Sequence, residues 1–301
     1  MMSTTNKFFE NALDHYLQYQ QNFIDTLNVP DDLLQEAIIY VMQTPGKKFR
    51  ALMVYATGQI FHLPHCILDP IALTIELIHA YSLVHDDLPA MDNDDFRRGQ
   101  PSCHKAFDEA TAILAGNALH HIAFSHLIEK LPPHISAQQT LNIMAIILKN
   151  IGPQGILSGQ SMDLKILHLP DLSIETITQI HHLKTTALLK AITDSICEAA
   201  QADIPAQSAL DTYVQHLGLA YQMFDDYGDV YATAQWGKNH SSDQSNQKTT
   251  FVSFYDQETL KSKISEELLQ AKQAISKLAS NEYLTDLILQ LEQRLEAISL
   301  Q

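Results

Sequence analysis

Cysteine, glycine and proline are scarce in this chain of 301 residues, at 3, 10 and 11, and basic residues number only 19 against 35 acidic ones. Each shortage excludes something. Three isolated cysteines, Cys66, Cys103 and Cys197, offer neither a disulfide framework nor a CxxC pair, which suits a reducing cytosol. With so few breakers, long stretches repeat apolar residues at spacings of three and four, so an all-α fold is expected. A net charge of −16 argues against nucleic acid as a partner, because phosphate backbones demand an excess of Lys and Arg. It leaves a small phosphorylated molecule open. No run of about 18 uninterrupted apolar residues occurs, and the start, MMSTTNKFFENALDHY, lacks the apolar core of a signal peptide. Neither a membrane span nor export by that route is expected.

What the chain does have is 46% hydrophobic residues, enough for a sizeable core, and no linker that would divide it. One domain over 1–301 is expected, with helices near 5–24, 31–43, 48–61, 70–87, 106–130, 136–160, 174–201, 206–234, 257–279 and 282–298. Asp69-Pro70 reads as a start signal, an N-cap acceptor followed by proline at the first helical position. The helix it opens is apolar nearly all round and belongs inside the bundle. Of the 15 histidines, the adjacent pairs His120-His121 and His181-His182 point to different helix faces and read as surface residues.

Two aspartate-dense clusters stand out, DDLPAMDNDD from Asp86 to Asp95 and DDYGD from Asp225 to Asp229. Crowded carboxylates repel one another unless cations sit among them. A solvated acidic loop or helix end explains either cluster alone and fits the pair poorly. Asp225 and Asp229 lie about 40° apart on a helix, so both can reach one metal ion. Asp86 and Asp92 lie about 120° apart on an ideal helix with Pro89 between them, so either the helix bends or Asp92 belongs to the following loop. Hard oxygen ligands with no accompanying cysteine or tight histidine spacing favour Mg²⁺, which completes its octahedron with water and substrate phosphate. An EF-hand is excluded, for lack of its Gly at the sixth position and Glu at the twelfth.

The rare cations complement the acids. Lys47 and Arg50 follow a Pro45-Gly46 break, about 60° apart on a helix face, as a diphosphate-sized clamp. Arg97-Arg98 directly follows the first acidic cluster, and Lys184, Lys238 and Lys248 fall in or beside the second half's candidate site. His79, seven residues before Asp86, shares its helix face. The interval 235–250 reads as a polar loop that is either a lid over the metal site or a plain connection. Acids that hold metal and bases that hold phosphate together describe a site for two diphosphates.

The segments GKKFRALMVYATG, IELIHAYSLVHDDLPAMDNDDFRRG, AILAGNAL, SGQSMDL, IHHLKTTAL, LGLAYQMFDDYGDV and WGKNHSSDQSNQK occur in an order and spacing that resembles the trans-isoprenyl diphosphate synthases, most nearly the bacterial farnesyl diphosphate synthases. The likeness runs from about residue 10 to 280. It implies a large antiparallel helix bundle of the isoprenoid synthase type around a central cavity, a homodimer in the cytoplasm, and three Mg²⁺ ions per active site. By the same resemblance Lys47, Arg50, His79 and Arg98 bind isopentenyl diphosphate. Arg97, Lys184, Thr185, Gln222, Lys238 and Lys248 hold the allylic diphosphate or steady the developing cation. Asp86, Asp92 and Asp225 match the metal ligands, with Asp87, Gln160, Asp163, Asp226 and Asp229 as further candidates near the metal. The catalytic group would be Asp86, Asp225, Lys184, Thr185 and Gln222. Tyr81, with the two-residue expansion of the first motif, resembles synthases that stop at fifteen carbons. Geranylgeranyl and geranyl products are the nearest alternatives.

Some positions depart from that pattern: Phe224 stands before Asp225 where a glutamine is usual, and Gly228 replaces a bulky aliphatic. A terpene cyclase would pair one aspartate-rich motif with an Asn/Ser/Glu triad and lack the Lys47/Arg50 clamp. A non-catalytic subunit of the same fold would be expected to have lost some of these acids and bases.

Overall fold

The computed structural model describes residues 4–166, 172–232 and 249–299. The fold is an all-α helix bundle. Its helices are α1 (Thr4–Thr26), α2 (Asp32–Gln43), α3 (Phe49–Ile60), α4 (His65–Asp86), α5 (Cys103–Ala106), α6 (Glu109–Lys130), α7 (Ala137–Ile151), α8 (Ile156–Ile166), α9 (Ile174–His181), α10 (Ala187–Ala200), α11 (Ile204–Tyr231), α12 (Gln257–Ile275) and α13 (Glu282–Ser299). Strand content among the described residues is one two-residue pair, β1 (Phe96–Arg97) with β2 (Gln100–Pro101). Contacts cluster into two compact units. One holds the described residues up to Gly58 together with His62–Met144; the other holds Gln59–Phe61 and the described residues from Ala145 onward.

Local chemistry sets several helix starts. Asp31, Asp108, Asp203 and Asp256 each accept a hydrogen bond from the backbone N–H three residues on, so α2, α6, α11 and α12 begin where an acid can satisfy an orphan donor. In the first unit α4 packs against α6 and carries the core. Every residue from Ile67 to Ile78 on it is buried. Ile71, Leu73, Ile75, Leu77 and Ile78 are at most 1% exposed, and burying such a side chain stabilises by roughly 1.5–3 kcal/mol relative to exposure. Among the described residues α4 alone is long and apolar enough to cross a membrane, and 83% of its most apolar stretch is buried inside the protein. In the second unit α11 packs against α12 and α10.

Three expected helix boundaries need correction. The Asp69-Pro70 start signal is misplaced: α4 begins a turn earlier, at His65 with Pro64 as its N-cap, and Asp69 is a buried residue inside the helix. The stretch 136–160 is not one helix, because α7 ends at Ile151 and the segment around Gly152, Pro153 and Gly155 turns before α8. The stretch 174–201 is interrupted by a π-helical turn at His182–Thr186.

Candidate active site

In the first unit the segment Gly46–Arg50 is a helix start approached through an irregular turn. Lys48 has φ +47°, and α3 begins only at Phe49. Lys47 therefore precedes the helix and, contrary to expectation, shares no helix face with Arg50. Lys47 is exposed and Arg50 half-buried. The backbone N–H of Ala51, one residue on, donates to the buried Glu76 of α4 at 3.0 Å, which docks the start of α3 on that helix.

Arg50, His79 and Arg98 converge. Arg50 Nη1 lies 3.2 Å and Arg98 Nη2 3.3 Å from His79 Nε2. Arginine only donates, so Nε2 accepts from both and the ring proton belongs on Nδ1. Burial, then the charges of Arg50 and Arg98, holds the imidazole well below its ordinary range, so it stays neutral between two guanidinium groups. Gly46 makes room for this group, since a Cβ there would overlap the Arg98 guanidinium. A small cavity of about 40 Å³ beside it is lined by Lys48, Glu76, His79, Asp87, Arg97 and Arg98, among others.

The first acidic cluster turns back on the end of α4. The helix stops at Asp86, short of Pro89, and the backbone N–H of Asp92 donates to the Asp86 carbonyl at 2.8 Å. Asn93 N–H reaches the Leu88 carbonyl at 3.1 Å, with Asn93 itself at φ +54°. The loop alternative is therefore the observed one, and it brings the backbones of Asp86 and Asp92, both half-buried, together despite their spacing in sequence. Asp87 points elsewhere. It is buried and receives the Arg97 guanidinium through Nε, at 3.0 Å, and Nη2, while Arg97 Nη2 also bonds Asp94 at 3.1 Å. Burial pushes the Asp87 carboxyl up, against the lowering pull of Arg97.

Arg97 and Arg98 are adjacent yet serve different partners, and the hairpin explains why. Arg98 (φ +53°) and Gly99 (φ +80°) form a two-residue turn with positive φ at both positions, the arrangement that suits a tight β-hairpin. Arg97 stays on β1 facing Asp87, and Arg98 swings to His79. Asp94 and Glu76 were not singled out from sequence. Gly99 was the available signal for the turn, since Arg-Gly between short polar runs favours positive φ.

Tyr81 lies on α4 one turn before Asp86, 8% exposed, with its ring edge-on to His120 of α6 at 5.1 Å and to His85 at 5.9 Å. Burial and the nearby Asp86 raise its hydroxyl pKa to about 12.

In the second unit Gln160 and Asp163 are buried on one face of α8, opposite the π-helical turn. Lys184 Nζ from that turn bonds Asp163 at 2.7 Å. Gly159 allows the approach, because a Cβ there would sit 2.5 Å from the Lys184 backbone nitrogen. An extra residue in a helical turn often marks a functional site, and here it aims Lys184 and Thr185. Thr185 donates to Gln222 Oε1 at 3.0 Å, Gln222 Nε2 donates to Asp226 at 3.0 Å, and the other Asp226 oxygen accepts the Phe251 N–H at 2.9 Å. Asp226, Tyr227 and Gly228 face inward, whereas Asp225 and Asp229 sit half-exposed one turn apart on α11. Both amide atoms of Gln160 are buried with no partner among the described residues, a state that costs about 1–3 kcal/mol until a ligand bonds them. His181 is no surface residue. Its ring stacks near Phe251 at 5.2 Å, and burial lowers its pKa to about 4. Lys238 and Lys248 lie outside the described residues.

The half-buried carboxylates at the end of α4 and on α11 are hard oxygen donors, the ligand type that Mg²⁺ prefers. A third set has different chemistry: His15, His65 and Asp69 bring one ligand atom each within 4.8 Å of one another, the makings of one metal-binding site.

Known proteins resemble this chain over most of its length. The profile of the polyprenyl synthetase family matches residues 31–287. The chain is 41% identical over 245 residues to the farnesyl diphosphate synthase of Haemophilus influenzae, covering 80% of this chain and 81% of that one. It is 37% identical over 266 residues to that of Escherichia coli, covering 87% and 88%. The crystal structure of a geranyltransferase from Legionella pneumophila superposes with a TM-score of 0.89 at 35% identity, over 97% of this chain and 98% of that one.

Proposed function

We propose, from the premise that this chain belongs to the polyprenyl synthetase family, that its product is farnesyl diphosphate. The chain is a prenyltransferase that condenses isoprenoid diphosphates. In the finer reading it adds isopentenyl diphosphate head-to-tail to dimethylallyl diphosphate and then to geranyl diphosphate. It does so as one synthase domain over 1–301, in a cytoplasmic homodimer. The observation that carries the reading is the pair of guanidinium groups on neutral His79, mounted on the same helix that ends in Asp86.

In this reading Arg50 and Arg98, with Lys47 and His79, hold the diphosphate of isopentenyl diphosphate. Two arginine forks suit phosphate oxygens, and a neutral imidazole between them avoids adding a third repelling charge. Arg97, Lys184, Thr185, Gln222, Lys238 and Lys248 hold the allylic diphosphate. Asp86, Asp92 and Asp225 would hold Mg²⁺, three ions in all, with Asp87, Asp163, Asp226 and Asp229 supporting them. When bound, Mg²⁺ lowers the cost of charge on the departing diphosphate. The allylic C–O bond breaks with its electron pair leaving on the diphosphate, while Lys184, oriented by Asp163, adds a fixed positive charge there. Thr185 and Gln222, hydrogen-bonded to each other, present oxygen dipoles toward the allylic cation. The isopentenyl double bond attacks that cation, a C–C bond forms, and the released diphosphate takes the proton. Water must be kept out, and the apolar wall of α4 serves that need. Tyr81 sets the floor that stops the chain at fifteen carbons.

The test is product analysis. Purified protein with Mg²⁺, isopentenyl diphosphate and either dimethylallyl or geranyl diphosphate should yield a fifteen-carbon diphosphate, and Tyr81→Ala should shift the product to twenty carbons or more. A wild-type product of ten or twenty carbons would replace the farnesyl reading. An unchanged Tyr81→Ala product would remove the floor assignment.

A further inference from the structure

A second metal chemistry is built into the first unit, far along α4 from the aspartate loop. His65 and Asp69 stand one turn apart on the first turns of α4 and therefore share a face, and His15 of α1 meets them from the side. His15 Nε2 is 3.0 Å from each Asp69 carboxylate oxygen, and His65 Nδ1 is 3.4 Å from Oδ1. The two imidazole rings lie 4.1 Å apart. Tetrahedral bonds of about 2.0–2.1 Å set ligand atoms roughly 3.3 Å from one another. Asp69 stands at about that spacing from each histidine, and the three ligand atoms all lie within 4.8 Å of one another.

Tyr55 donates to Asp69 Oδ1 at 2.8 Å, so a hydroxyl and two imidazole nitrogens converge on one buried carboxylate. With an ion bound, the imidazoles give their lone pairs to it, and the carboxylate keeps one ligand bond and the Tyr55 hydrogen bond. That hydroxyl is the kind of outer partner that orients a ligating carboxylate. Asp69 is 6% exposed and fixed, whereas His65 is exposed and His15 half-buried, so solvent can supply a fourth ligand.

We propose that His15, His65 and Asp69 bind one borderline-soft divalent ion of the zinc class, which clips α1 to the start of α4. Two imidazoles and a carboxylate suit Zn²⁺ or its neighbours, whereas Mg²⁺ takes oxygen. Asp69 and Asp86 are separated along α4 by about 25 Å at helical rise, so this site is not part of the proposed Mg²⁺ site. Its role is structural, holding the N-terminal helix.

Co²⁺ is the probe. The full chain is stripped with chelator, saturated with Mg²⁺ to occupy the hard oxygen sites, and titrated with Co²⁺ while visible absorption and melting temperature are followed. One equivalent should bind with the intense visible bands of four-coordinate Co²⁺ and be displaced by Zn²⁺, and Zn²⁺ should raise the melting temperature by several degrees. His15→Gln and His65→Gln should each lose the bands and the thermal response while keeping Mg²⁺-dependent condensation within about twofold of wild type. The weak spectrum of six-coordinate Co²⁺, or identical binding by wild type and His65→Gln, would overturn the proposal. The spectroscopic readout does not depend on prenyl transfer, so this test stands apart from the test of product.

Discussion

At the scale of the residue, Arg98 shows how one backbone angle decides a partner. Its guanidinium reaches His79 only because Arg98 and Gly99 both adopt positive φ, and Gly46 leaves space beside it. On the proposed roles, Arg98→Leu removes charged hydrogen bonds to one diphosphate, worth about 1.5–3 kcal/mol. The expected result is a rise in KM for isopentenyl diphosphate on the order of 10- to 100-fold with KM for the allylic substrate near wild type. Steady-state kinetics with each substrate varied in turn checks it, and an equal rise in both would merge the two roles. The sequence made the pair Arg97-Arg98 conspicuous beside the acids. It did not show that one arginine bonds Asp87 and the other His79, because that divergence comes from the turn and not from residue type.

At the scale of the element, the π-helical turn between α9 and α10 and its contact with α8 place Lys184 against Asp163. Periodicity merges 174–201 into one helix because a single extra residue barely disturbs an apolar repeat. Gly159, an isolated glycine inside a helical pattern, was the visible trace of close backbone approach. Gly159→Val should cost about 1–3 kcal/mol through overpacking against the Lys184 backbone and should lower kcat at least tenfold by displacing the lysine. Denaturant midpoints measured beside kcat separate the two effects. A lowered midpoint with kcat unchanged would mean that the turn does not position Lys184. The break between α7 and α8 was equally readable in hindsight from Gly152, Pro153 and Gly155, whereas the early start of α4 was not, since its N-cap is Pro64 with no side-chain cap bond.

At the scale of the whole molecule, buried neutral histidines should make stability fall in mild acid. Burial lowers the pKa of His126 from 6.5 to about 4; the ring is 5% exposed and bonded to the Tyr19 hydroxyl at 3.0 Å. Its folded pKa lies below its unfolded one, so between about 4 and 6.5 the unfolded chain binds the extra proton and stability declines as pH falls. From pH 6.5 to 5.5 this single residue should cost about 1 kcal/mol, and His79 and His181 shift in the same direction. Denaturant unfolding at pH 7 and 5.5 measures the loss, and His126→Gln should make the dependence shallower. A stability independent of pH over that range would contradict neutral burial.

The sequence by itself determined the helical class, through its shortage of breakers and its apolar period, and it supplied the inventory of acids and cations. Both are local properties, carried by residue type and by spacings shorter than two helical turns. Only the tertiary structure decided which members of that inventory meet. Asp92 returns to Asp86, two arginines share one neutral histidine, and His15 finds Asp69 from 54 residues away. Those meetings depend on left-handed turns, on a π-helical turn and on the packing of helices remote in sequence, none of which leaves a period in the chain.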